Sequence, residues 1–408
     1  MKADHSGSAR TVIPNDGQRR NVLVTMAGLF CATSAFSGCG GGGGDEGAAV
    51  TPTSGGSPTH KSAPAPAAGL TSAAAIVADM GSGFNLGNTF DLGQHSTEPA
   101  AIFPLIDLYQ AAGMRHVRIP VTWMEPVAGS TLAAASGLVN AAHPRLAQLK
   151  AVVDYALSKN LYVVLNAHHE RGLYQRYDGS PALDAAFSTL WQGIAEQFAD
   201  RSPKLIFEVL NEPQGVFGDW SGGASPSDSR ALALTRRINK LGYEAIRASG
   251  GPNAQRLVMV GTNGMGNHAQ LRVVYPTKAD LPGGGSDRFL AAQVHTYDPW
   301  PFCGQDGSNA AWPGDLVIAG ALLAVMAHAA TLGLPVNYGE FGVGRDTQPI
   351  ERDSDVVRGY YRLVNRTVLN AGMSSTVWDD RGWFGLVAAN GTGGFAFVNR
   401  IVPAMLAG

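Results

Sequence analysis

What most constrains this chain is an alternation. Eight apolar, strand-like runs bounded by turn residues recur along it, at 83–88, 116–121, 162–168, 205–211, 256–261, 289–297, 335–339 and 374–379. Between most of them the apolar residues fall at helical spacing. The segment 99–112 carries Ile102, Leu105, Ile106 and Tyr109, and 144–159 carries Leu146, Leu149, Val153 and Leu157. The segments 187–198, 230–248, 316–332 and 355–369 read the same way. After the fifth run the helical pattern, at 268–275, is short, and after the eighth the chain soon ends. Strands that alternate with helices build βαβ units and a parallel sheet. Eight of them in one block predict an α/β fold closed into a (β/α)8 barrel, a single catalytic domain over 71–408.

Composition sets off what precedes that block. Residues 40–70 are mostly Gly, Ala, Ser, Thr and Pro. Such a stretch cannot bury enough apolar surface to offset its ordering entropy, so it is expected to be a disordered linker. Residues 1–39 read as an export leader, with Arg19 and Arg20 ahead of a moderately apolar segment that runs to Phe36. The arginine pair resembles a twin-arginine signal. Phe36-Ser37-Gly38-Cys39 resembles a bacterial lipoprotein box, in which Cys39 would carry the lipid. A plain cleaved signal is the alternative. The protein is therefore expected outside the cytoplasm, extracellular or at the cell surface, as a monomer.

Charge excludes other classes. The net charge is −2, 15% of residues are charged, and no basic run exceeds two residues, so there is no electrostatic footprint for nucleic acid. The block has no uninterrupted apolar run of membrane-spanning length, which leaves a lipid anchor as the one expected link to a membrane. Cys303 is alone in the block, the other two cysteines being Cys31 and Cys39, so no disulfide can form within it, and it is read as an unreactive loop residue.

Barrels of this kind place their chemistry at the C-terminal ends of the strands. Those ends carry polar or aromatic residues in seven of eight cases: Asn85 and Asn88; Arg118; Asn166, His168, His169 and Glu170; Asn211 and Glu212; His295 and Tyr297; Glu340; Trp378, Asp379 and Asp380. Two carboxylates at separate strand ends suit glycoside hydrolysis, one as proton donor and one as nucleophile or base. Glu212 and Glu340 fit those positions. Arg118 near Glu340 would favour its charged form, and Tyr297 could donate a hydrogen bond to it. Asn211 could hold a sugar hydroxyl, His168 and His295 could complete the network, and Trp378 offers a flat face for a sugar ring. Asn85, Asn88 and His169 are assigned to substrate binding. Trp123, Trp220 and Trp300 are candidates for outer subsites or for packing. Glu208 is read as a buried structural carboxylate, and Glu170 as loop structure.

At these residues the chain resembles glycoside hydrolase family 5, the cellulase family, over about 76–385. Leu210-Asn211-Glu212-Pro213 is similar to that family's acid/base motif, Tyr338-Gly339-Glu340-Phe341-Gly342 to its nucleophile motif, and His295-Thr296-Tyr297 to its sixth-strand pair. Arg118, His168 and Trp378 occupy matching strand ends. Asn85-Leu86-Gly87-Asn88 and Asn166-Ala167-His168-His169-Glu170 are similar to the endoglucanase branches. The resemblance implies a secreted endo-β-1,4-glucanase that acts on cellulose by double displacement. Glu212 would be acid/base and Glu340 nucleophile, about 5–5.5 Å apart, with no cofactor and no metal. Mannan, xyloglucan and mixed-linkage glucan are alternative substrates.

Two rival classes remain. His168-His169-Glu170 invites a metal-dependent hydrolase, but adjacent residues on a strand point to opposite faces and would chelate poorly. A non-catalytic sugar-binding protein would have no use for two opposed carboxylates.

Overall fold

The computed structural model describes residues 72–220, 222–345 and 349–407. The leader, the linker and Cys39 lie outside the described residues.

Eight strands close into a parallel barrel in sequential order. They are β1 (Ser82–Asn85), β2 (His116–Ile119), β3 (Tyr162–Asn166), β4 (Leu205–Glu208), β5 (Val258–Gly261), β6 (Leu290–Thr296), β7 (Val336–Phe341) and β8 (Ser374–Val377). All are buried along their length. This is why they read as continuous apolar or small-residue runs rather than alternating ones.

The helices begin with α1 (Ala73–Met80), α2 (Pro99–Ala111), α3 (Pro144–Ser158), the short α4 (Arg171–Arg176), α5 (Pro181–Gln197) and α6 (Ser229–Ala248). They continue with α7 (Asp315–Leu332) and α8 (Asp355–Asn370), and α9 (Ile401–Leu406) follows the last strand. Proline stands at the start of α2, α3 and α5, where its missing N–H costs nothing. The helix α7 is apolar and long enough to cross a membrane by composition, but Ile318, Leu322, Val325, Met326, Ala329 and Leu332 are buried, as in the barrel's other outer helices. After β5 there are only short helical turns, matching the weak pattern at 268–275.

Strand alternation splits the interior into two apolar clusters. Outward residues such as Phe84, Val117, Leu165, Phe207, Val260, Val294 and Val377 pack against the helices. Inward residues Tyr162, Val164, Ile206, Met259 and Ala291 fill the floor, where Ala73, Ile76, Val77 and Met80 of α1 plug it. Ser72 caps α1, its hydroxyl accepting from the Ala75 N–H. The sequence pattern had not marked this helix: eight residues ahead of the first strand give too little period to read.

Above the floor the inward positions turn polar. His116 Nε2 lies 2.8 Å from Thr376 Oγ1, and the Asn337 amide donates to Ser374 and Thr376. A hairpin of β9 (Val387–Ala389) and β10 (Phe395–Phe397) also escaped the sequence reading, although the Asn390-Gly391 pair between them is a turn signal.

Most strands are shorter than their apolar runs. Strands β1, β3 and β4 end at Asn85, Asn166 and Glu208, and the polar residues that follow lie in the barrel mouth. Strand β7 is the exception and carries Glu340 within it.

Candidate active site

Glu340 points into the barrel because β7 is irregular. Asn337 faces inward, and strict alternation would turn Glu340, three residues on, outward. The register shifts between Tyr338 and Phe341 toward β8, and between Val294 and His295 toward β6. Such bulges re-aim side chains, and this one sets Glu340 directly beside His295. Glycine is required at 339, since a Cβ there would stand 2.2 Å from the Gln293 amide nitrogen.

Glu212 reaches the same space from the turn after β4. Its φ is +43°, a left-handed value that few non-glycine residues adopt, and it precedes Pro213, which itself favours an extended neighbour. Backbone strain of this kind tends to collect at functional sites. Tyr174 helps hold the turn: its hydroxyl reaches the backbone carbonyls of both Asn211 and His168 and ties the ends of β3 and β4 together. The sequence reading missed Tyr174, which lies in α4, off the strand ends that were searched.

The two carboxylates are close. One oxygen of each lies within 4.8 Å of the other, and the His295 ring stands between them. Its Nδ1 is 2.9 Å from Glu212 Oε1 and its Nε2 is 3.7 Å from Glu340 Oε1. Tyr297 donates to Glu340 Oε2 at 3.0 Å. Arg118 donates to Glu340 Oε1 at 2.7 Å.

Every N–H of Arg118 is used. Nε and one Nη2 hydrogen hold Glu208 in a two-point contact at 2.6 and 2.8 Å, and Nη2 also reaches Asn211 at 2.7 Å. Nη1 divides between Asn85 at 2.8 Å and Glu340. Arg118 and Glu208 are both fully buried. Burial pushes the Glu340 carboxyl up, His295 and Arg118 oppose it, and the net direction is upward. Arg118 alone therefore does not hold Glu340 below the ordinary range, as the sequence had suggested, because desolvation outweighs it. For Glu208, burial again opposes the charge, but Arg118 prevails and holds the carboxyl low.

The other expected site residues divide by depth. Asn211 and His295 sit at the catalytic level. Trp378 is mostly buried with its ring parallel to His168, and its ring atoms come within 3.0 Å of where a Gly87 Cβ would stand. Asn88 and His169 lie at the rim, partly exposed. Trp220, 40% exposed, and Trp300, edge-on to Tyr297, also flank the mouth.

Two assignments need correction. Trp123 is fully buried and donates its indole N–H to the Asn166 carbonyl, so it packs the core and cannot face a sugar. Asn85 is also buried, and its amide is spent on the carbonyls of Gly339 and Val377 while its oxygen serves Arg118. It supports the site rather than meeting substrate. Glu170 proves to be a clamp, accepting from the N–H groups of Trp123 and Met124. Cys303 lies in a short helical turn rather than a loop, buried, with its thiol pushed up to about 12 by that burial.

His168 and His169 do not diverge as strand alternation had suggested, because β3 has ended at Asn166. Both Nε2 atoms approach Asp91 Oδ2, at 3.9 and 3.8 Å. This trio and the trio Glu212, His295 and Glu340 have metal-ligand composition. In the first, the Asn166 amide nitrogen donates to Glu208 and also faces His168 Nδ1. That leaves Nδ1 as acceptor and the proton on Nε2, so His168 offers no lone pair toward Asp91. In the second, Arg118 already occupies the cation's place beside Glu340.

Comparison with known proteins agrees with this geometry. The family model for cellulase (glycosyl hydrolase family 5) matches residues 80–380. Endoglucanase A of Clostridium longisporum is 31% identical over 298 residues, 68% of this chain and 54% of that protein, so the chain spans about half of that relative's length. Endoglucanase A of Paenibacillus barcinonensis is 27% identical, with 93% of each chain covered. Among solved structures, the GH5-4 broad specificity endoglucanase from Clostridium longisporum superposes with a TM-score of 0.67 at 27% identity, covering 83% of this chain and 98% of that one.

Proposed function

This chain belongs to glycosyl hydrolase family 5, and from that membership we propose that it hydrolyses internal β-1,4-glucosidic bonds in cellulose and related β-glucans by a retaining double displacement. The observation that carries the reading is the pair of carboxylates, one oxygen of each within 4.8 Å of the other, with the His295 ring between them. That spacing suits direct attack on the anomeric carbon. An inverting enzyme needs about 6.5–9.5 Å to admit a water.

Glu340 is the nucleophile. Arg118 and Tyr297 each hold one of its oxygens and fix the attacking geometry. In the first step a Glu340 oxygen bonds to the anomeric carbon as the glycosidic C–O bond breaks, and Glu212 gives its proton to the departing oxygen. In the second step Glu212 takes a proton from water, whose oxygen bonds to the anomeric carbon and releases Glu340. Asn211, adjacent to Glu212 and held by Arg118, is placed to bond the 2-hydroxyl of the sugar. Trp378 offers its ring face to the sugar, and His169, Asn88, Trp220 and Trp300 line the approach.

A solved relative described as a broad specificity endoglucanase supports activity on more than one β-glucan. Export, with release or lipid anchoring through Cys39, and action as a monomer complete the proposal. They rest on the leader's sequence and on the polymeric substrate. The test is reducing-sugar release by residues 69–408 from carboxymethyl-cellulose, mannan and xyloglucan. Release from the cellulose derivative with a fast fall in viscosity is expected. A preference for mannan or xyloglucan would move the substrate, and release from none would sink the hydrolase reading.

A further inference from the structure

Glu208 has no step in the mechanism above, yet it makes the one two-point contact Arg118 has. Asn85, Asn211 and Glu340 each take a single N–H from the guanidinium, while Glu208 takes two, from Nε and Nη2. A two-point contact fixes the plane of a guanidinium, which a single hydrogen bond does not. With that plane fixed, the direction of Nη1 toward Glu340 is fixed as well. The contact lies in a fully buried pocket, where no solvent could replace it.

We propose, resting on the hydrolase reading above, that Glu208 is a positioning residue for the reaction. It keeps Arg118 aimed at Glu340 and takes up part of the cation's field, so that the nucleophile is oriented without being over-stabilised as an anion. A carboxylate too strongly stabilised is a poorer nucleophile, and Glu208 gives the Arg118 cation two anions to share.

The charged and titratable groups around this pair come from every side of the barrel. Arg118 on β2 touches both carboxylates. Asn166 on β3 donates to Glu208 at 2.9 Å. His295 from β6, Tyr297 just after it, Glu212 after β4 and Asp91 after β1 act on Glu340, His295 also acts on Glu208, and Glu208 acts on Tyr174. Of these, only Arg118 links the two carboxylates by direct hydrogen bonds.

The test compares Glu208→Gln, Glu208→Asp and the unaltered enzyme on carboxymethyl-cellulose, with rates normalised to folded protein and kcat/KM followed against pH. Loss of the charge in Glu208→Gln leaves Arg118 to Glu340 alone. The expected result is a kcat lower by about tenfold or more, little change in KM, and an acid limb moved to lower pH. Glu208→Asp keeps the charge and shortens the reach, so its kcat should fall while its acid limb stays in place. An acid limb unmoved in Glu208→Gln would overturn the proposal, since a merely structural role lowers the folded yield without touching the titration. If Glu208→Gln does not fold, Glu208→Asp decides, and a kcat equal to the unaltered enzyme's overturns the proposal. Inactivity of the unaltered enzyme on every β-glucan would instead refute the hydrolase reading.

Discussion

Asp91 is buried at the edge of the site, and neither of its oxygens has a hydrogen-bond partner among the described residues. Burial pushes its carboxyl up to about 7, while the N–H groups of Asn88, Asp91 and Leu92 pull the other way without meeting hydrogen-bond geometry. An acid raised in the folded state contributes stability that is fully present below its unfolded pKa, near 4, and is lost as pH rises through about 7. Asp91→Asn removes the titration and keeps the shape. It should raise the thermal midpoint at pH 8, by on the order of 4 kcal/mol in stability, and change it little at pH 4 or below. Equal midpoints for both proteins at pH 8 would contradict this.

Glu212 supports a second prediction at the residue scale. Glu212→Gln should cost about 10²–10⁴-fold in kcat/KM on cellulose derivatives, and far less in kcat/KM on an aryl cellobioside whose leaving group needs no proton, because kcat/KM reports the first step alone. Equal losses on both substrates would rule out a proton-donor role. At this scale much was legible from the sequence. Glu212, Glu340, Arg118, His295 and Tyr297 stand together because each carries chemistry that a barrel strand has no other reason to present. Asn85 was misread, and Trp123 was left between subsite and packing, because residue type and strand end say nothing about depth.

At the scale of elements, strand ends proved shorter than apolar runs, since a residue can remain buried in the mouth after leaving the sheet. This is also why His168 and His169 converge on Asp91 where alternation predicted divergence. The bulge that turns Glu340 inward was likewise invisible to periodicity, which assumes regular pairing. The plug helix α1 was missed for its shortness, and it carries its own prediction. Met80 is fully buried against the barrel floor. Met80→Ala should lower stability by about 2–5 kcal/mol and leave kcat unchanged, as read by denaturant unfolding and by hydrolysis at low temperature. A fall in kcat with unaltered stability would show that the floor and the mouth are coupled in a way the packing does not suggest.

At the scale of the whole molecule, one barrel does two jobs at its two ends. The floor is closed by apolar residues and α1, and the mouth holds a ring of charge in which a single arginine touches two carboxylates. The barrel class was legible because eight alternations leave few other ways to close a sheet. Substrate choice was not, because it depends on loops at the rim whose shape no periodicity encodes. The claim that joins the scales is that Glu340 bonds covalently to the sugar. The most direct measurement is intact mass and peptide mapping after incubation with a 2-deoxy-2-fluoro-cellobioside bearing an activated leaving group. The account predicts one fluorocellobiosyl adduct, on the peptide containing Glu340 and absent in Glu340→Gln. An adduct on another residue, or none together with products of inverted configuration, would contradict it.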